Sequence, residues 1–115
     1  MTIYVGHAFS LQMIEDRCVL EVNTVQGDFI SKYLKVKDFI SIFGHEDIAR
    51  IAELSVDMIG QFSINRVSVL LRPGDELIVA QVGATVVPND SKFSWKRVSV
   101  LPLLEDVKDA SYYYY

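Results

Sequence analysis

The sequence predicts an α+β fold: a mixed, mostly antiparallel sheet of about five strands with helices packed on it. Three observations carry that prediction. Residues alternate at a period of two from Arg17 to Val25 and again from Phe93 to Leu101. Apolar residues recur at helical spacing from Val36 to Phe43 and from Ile48 to Ile59. Arg72-Pro73-Gly74-Asp75 is a type II turn signal between an alternating segment and a nearly all-apolar one.

Taken in order, Thr2 to Val5 is a short strand with Ile3 and Val5 on one face. Gly6 and His7 break it, and Ala8 to Met13 follows as a loop or single turn. In the second strand Cys18, Leu20 and Val22 alternate with Val19, Glu21 and Asn23. Gln26-Gly27-Asp28 reads as a turn, and Phe29 to Leu34 shows no decisive pattern. Val36, Phe39, Ile40 and Phe43 fall at i, i+3, i+4 and i+7, one face of a first helix that Gly44 ends in the left-handed conformation. After a tight corner at His45, Ile48, Ile51, Ala52 and Ser55 line a second helix. Glu46 and Asp47 complement its dipole, and Gly60 stops it. Asn65 to Arg72 is a strand, and the turn leads into Leu77 to Val82, with Gln81 its polar exception. Gly83 to Asp90 is a loop turning at Pro88-Asn89-Asp90. The last strand sets Val98 and Val100 opposite Trp95 and Arg97. Residues 105–115, ending in Tyr112 to Tyr115, read as a mobile tail.

A chain of 115 residues suits a single domain, 1–115, with one core. Half the residues are hydrophobic and 23% are charged, an ordinary globular balance. The net charge of −4 argues against gripping long nucleic acid by its backbone, which calls for a basic surface. A small anionic ligand held by a few local donors is compatible with it. Cys18 is the only cysteine, so an intramolecular disulfide and a cysteine-rich zinc site are excluded. No metal-ligand cluster and no glycine-rich phosphate loop is present, and no cofactor is expected. No signal peptide and no membrane-spanning stretch is visible, so the expected location is the cytoplasm.

The polar residues that interrupt the core pattern are the candidates for function. His45, Arg66 and Gln81 fall where elements end or faces change. Gln81 needs a hydrogen-bond partner in any reading, and the other polar residues of these segments have plain readings as well. His45 suits an N-cap-like linker, Ser10 a capped turn, Arg66 a solvated face, and His7 a strand end.

Three segments in register carry a resemblance: Val5-Gly6-His7-Ala8-Phe9-Ser10-Leu11-Gln12-Met13, the Gly44-His45 corner, and Asn65-Arg66-Val67 followed by Gly74-Asp75-Glu76-Leu77 and Gln81. In this order and spacing the chain resembles a family of small proteins from archaeal viruses, bacteriophages and mobile elements. That family includes the viral ring nucleases that act as anti-CRISPR proteins. The resemblance spans roughly Met1 to Gln81. It implies a mixed sheet flanked by helices, in a homodimer that binds cyclic tetra-adenylate across its axis. It also implies metal-independent cleavage, in which a ribose 2′-hydroxyl attacks the adjacent phosphorus and leaves a 2′,3′-cyclic phosphate. By the same resemblance His45 is the general acid, and imidazole suits that role near neutral pH. Ser10, Arg66 and Gln81 match ligand-contacting positions, and His7, Gln12 and Gly44 lie within the matching segments.

The chain also departs from that pattern. Ring nucleases of this kind carry an arginine a few residues past the glutamine. Here Thr85 or Val86 stands there, and Gly83 to Lys96 contains no arginine. His7 replaces the usual asparagine, and Asp47 and Ile48 replace small hydroxyl residues. An arginine aimed at developing charge is worth several kcal/mol. Three functions therefore stay open: a ring nuclease, a sponge that sequesters a cyclic nucleotide, and a protein-binding viral factor without a ligand.

Overall fold

Ile3-Tyr4-Val5-Gly6 forms β1 (Ile3–Gly6), and this short apolar strand lies inside the sheet, not at its edge. The computed structural model describes residues 1–15, 17–81 and 94–102. In chain order β1 is followed by a 3₁₀ turn (Leu11–Met13), β2 (Val19–Val25), α1 (Gly27–Lys35), β3 (Ile40–Ser41), α2 (Glu46–Ser55), β4 (Glu76–Gln81) and β5 (Ser94–Leu101). The strand order is β2-β5-β4-β1-β3. β1 runs parallel to β3 and β4, whereas β5 runs antiparallel to β4 and β2. The antiparallel ladders are the longer ones, so the expected class, a mixed and mostly antiparallel α+β sheet, is the one observed. Val82, the loop at Gly83 to Asp90, Thr85, Val86, Phe93 and the 105–115 tail lie outside the described residues.

Several local expectations are corrected. The first helix is α1, in the stretch whose pattern was undecided. Ile30 and Leu34 are fully buried one turn apart, and Gly27 and Asp28 are its first turn, not a separate bend. The Val36–Phe43 segment is not helical. Ile42 N–H donates to Val5 O at 2.8 Å, and Ile40 and Ser41 pair with Tyr4 and Val5. The open edge of β1 captures it, and burial then follows a strand-like period: Ser41 and Phe43 are buried, whereas Ile40 is exposed. Gly44 therefore ends no helix, and its φ is not positive.

α2 stops at Ser55, not at Gly60. Asp57 takes φ 55°, Met58 N–H returns to Glu53 O at 2.9 Å, and Asp57 N–H returns to Leu54 O at 3.5 Å. This is a Schellman cap with aspartate in the usual glycine position. Residues 65–70 form no strand. The segment is tied by single bridges, Phe43 to Ile64 and Ile14 to Leu71, because the place beside β4 is taken by β5 on one side and β1 on the other. The Pro73-Gly74 turn is present. Gly74 has φ 93°, Asp75 N–H donates to Arg72 O at 2.9 Å, and the Asp75 carboxylate accepts from Thr2 N–H and Arg72 N–H.

The sheet has a different cover on each face. On one, α1 and α2 bury Ile30, Leu34, Ala49 and Ala52 against Val5, Ile78, Ala80 and Trp95. Phe62 packs there between Phe43 and Trp95. It is held by Phe62 N–H to the buried Glu53 carboxylate (2.8 Å) and by Arg50 to Phe62 O (2.9 Å). On the other face Leu77, Val79, Val98 and Val100 are covered by irregular chain bearing Phe9, Met13, Ile14, half-buried Cys18 and Leu71.

Candidate functional site

β1, β3 and β4 are parallel, so their carboxyl ends open on one end of the sheet, where crevices form in such sheets. His7 follows β1, Gly44 and His45 lead from β3 into α2, and Gln81 ends β4. The topology thus gathers three of the sequence-predicted segments in one place.

Gly44 is the hub. Its N–H donates to His7 Nδ1 at 3.4 Å, and its carbonyl accepts from Arg66 Nε at 2.9 Å. A Cβ on Gly44 would stand 3.3 Å from His7 Cε1, so the absent side chain lets the imidazole sit against the backbone. His7 stacks on buried Phe43, with ring centroids 6.0 Å apart. His45 meets His7 edge-on at 5.7 Å. Burial, and then the charge of His45, push the His7 imidazole below the usual 6.5. The neutral form of His7 is thereby favoured. Nδ1 accepting from Gly44 matches the tautomer with the proton on Nε2.

His45 occupies the N-cap position of α2 and makes no side-chain cap bond. It is exposed. The plain reading of His45 is thus right about position, yet the ring is not committed to the helix end.

Two concavities flank His7. One, of about 220 Å³, is lined by Ser10, Gln12, Ser68 and apolar neighbours including Ile42. The other, of about 370 Å³, has Phe9, Val22, Val79 and Val98 as its floor and Gln81 and Lys96 as its polar groups. Ser10 stands at the N-cap of the 3₁₀ turn, where its carbonyl accepts from Met13 N–H at 3.0 Å. Gln81 is exposed at the strand end and is not a buried polar group in a central strand. Arg66 is exposed on irregular chain, its Nε spent on Gly44.

The structure thus groups His7, Gly44, His45 and Arg66 at one corner, sets Ser10 and Gln12 on one side of His7, and Gln81 on the other. Sequence reasoning missed Ser68 and Lys96. Lys96 shares a parity with Val98 and Val100, but only the register Val79↔Lys96 brings it to Gln81. Among the described residues no group of three His, Cys, Asp or Glu side chains gathers to hold a metal ion, and no helix is long and apolar enough to cross a membrane.

The fold is similar to a solved structure, B116 of Sulfolobus turreted icosahedral virus. The match has 17% sequence identity and a TM-score of 0.73, and it covers 86% of this chain and 99% of that chain. At that identity the likeness speaks for the fold alone. No family model matches the chain, and no curated protein matches it in sequence.

Proposed function

We propose that this is a viral antagonist of cyclic-nucleotide immune signalling. Two copies bind a cyclic oligonucleotide of the cyclic oligoadenylate class at their interface in the host cytoplasm, and they remove it by metal-independent ring cleavage. The observation that carries this reading is the convergence of His7, Gly44, His45 and Arg66 at the carboxyl ends of β1 and β3. These residues come from all three segments of the resemblance, and they offer donors and cationic groups without a metal. The similarity in fold to a viral protein is in keeping with it.

In the proposed reaction a ribose 2′-hydroxyl attacks the adjacent phosphorus. The bond from phosphorus to the 5′-oxygen breaks, and His45 protonates that oxygen. An exposed imidazole without a capping bond suits this role. His7 Nε2–H, Ser10, Gln12 and Gln81 orient the ligand, and the Arg66 guanidinium faces phosphate. A roughly two-fold symmetric ligand is met by matching donors from an isologous dimer.

One observation favours a sponge instead. No arginine follows Gln81 before Arg97, and Arg97 is paired with Glu76. The negative charge of the transition state then lacks a guanidinium from that segment. Calorimetry against cyclic di-, tri- and tetranucleotides, with light scattering for mass, tests the reading. Micromolar binding of a cyclic oligoadenylate by a dimer is expected. A monomer with and without ligand, or no binding to any ring, leaves only the protein-binding factor.

A further inference from the structure

The larger concavity beside His7 has a composition that the acidic chain does not lead one to expect. The sequence holds 15 acidic residues against 11 basic ones, yet among the described residues no carboxylate lines either concavity. Among the described residues Lys96 is the one lysine or arginine that lines them. Its Nζ donates to Thr24 Oγ1, a neutral acceptor, at 2.5 Å. Among the described residues the ion pairs are Arg50 with Glu53 and Arg97 with Glu76, so no carboxylate there neutralises the Lys96 ammonium. The tie to Thr24 fixes the ammonium over a floor of Val22, Val79 and Val98.

That floor is apolar, and Val22 is the part of it that lies open, beside the buried Val79 and Val98. Val22 is 56% exposed although it lies in a strand, paired across to Val98. A volume of about 370 Å³ falls in the small-molecule range. Apolar and aromatic side chains favour the face of a base, and a glutamine amide with both donor and acceptor can read a base edge.

We propose that this pocket holds one nucleobase against Val22, Val79 and Val98 while Lys96 pairs with the phosphate next to it. The inference rests on the reading of the ligand as a nucleotide, and it adds the cation that reading lacks. Lysine acts here as a point charge on a phosphate, without the bidentate geometry of a guanidinium.

The test uses mononucleotides, so it stands apart from recognition of a ring. Valine-methyl NMR titrations compare adenosine with adenosine 5′-monophosphate on the wild type, Lys96→Gln and Lys96→Arg. Both ligands should shift the Val22, Val79 and Val98 methyls, with the monophosphate bound roughly 5- to 10-fold tighter. Lys96→Gln should erase that preference and leave adenosine unchanged, and Lys96→Arg should keep it. On the wild type alone, added salt should shrink the preference. Unmoved valine methyls, a preference that survives Lys96→Gln, or a preference indifferent to salt overturns the inference. Mononucleotide binding that depends on Lys96, without binding of any cyclic nucleotide, overturns the proposed function and spares the pocket.

Discussion

On the helix-covered face of the sheet Phe43 and Phe62 have no exposed surface, whereas on the opposite face Val22 is 56% exposed. The first face is closed by regular elements whose backbone groups pair internally. A short irregular segment adds Phe62, whose ring stacks on Phe43 at 5.2 Å and meets Trp95 edge-on at 6.3 Å. The second face is covered by irregular chain, which meets the sheet at a few points, such as Leu71 N–H on Met13 O at 2.7 Å. Irregular backbone must keep its polar groups near water, so it roofs the sheet incompletely, and the two concavities are the gaps. His7 joins the two regions. It stacks on a core ring of the first and lines both concavities of the second. Close packing is thus concentrated on one side and open concavities on the other.

The sharpest way to break this contrast is to substitute one residue on each side. Phe62→Ala should cost about 3–5 kcal/mol, as for other buried aromatics. Val22→Thr should change stability by less than about 0.5 kcal/mol. Denaturant unfolding measures both, and equal losses would end the division between the faces.

A smaller effect is expected from the polar network under α1. Glu76 accepts from Tyr33 Oη at 2.5 Å and is paired with Arg97, which lies over the Tyr33 ring at 5.1 Å. Glu76→Gln leaves the partly buried Arg97 without its counter-charge and should cost about 1–3 kcal/mol. Adding Arg97→Met should recover part of that loss. Additive losses in the double variant would show that the two side chains do not act together.

The same network gives a pH dependence. Burial first, and the Glu76 hydrogen bond second, raise Tyr33 above 10.0. The folded state therefore prefers the neutral phenol. Its contribution is complete below the unfolded value and is lost as pH rises through the folded one. Thermal unfolding should become easier above about pH 10 in the wild type and less steeply so in Tyr33→Phe. Identical alkaline profiles would remove Tyr33 as the cause.

The smallest effect lies at the joint. By NMR, His7 should titrate below 6.5, and His45→Ala should move it upward, because the His45 charge is one of the two causes of its depression. An unmoved His7 would separate the two imidazoles that the site brings together.

Much of this arrangement was legible in the sequence. The alternation of β2 and β5, the apolar run of β4, the acidic start of α2 and the Pro73-Gly74 turn all depend on neighbours close in the chain, and all formed. Val36 to Phe43 went the other way because its apolar residues fit a helix face as well as a strand. The free edge of β1, a tertiary feature, decided between them. Gly44 forms the corner for a different reason from the one its sequence position suggests. It is needed for the approach of His7, not for a left-handed φ. Lys96 was invisible as a site residue, since no local pattern says that β5 lies beside β4 with Lys96 opposite Val79.

The His7-centred corner is proposed to bind a cyclic oligonucleotide, which His45 helps to open. Excess protein is incubated with labelled cyclic tetra-adenylate, the mixture is denatured, and the products are separated. Linear product ending in a 2′,3′-cyclic phosphate is predicted, insensitive to chelator, with His45→Ala slowing its formation about 10²- to 10⁴-fold, the range of a general acid. Intact ligand released on denaturation would contradict cleavage and leave a sponge. Cleavage at an unchanged rate in His45→Ala would contradict the role given to His45 and pass it to His7, the other histidine in the chain.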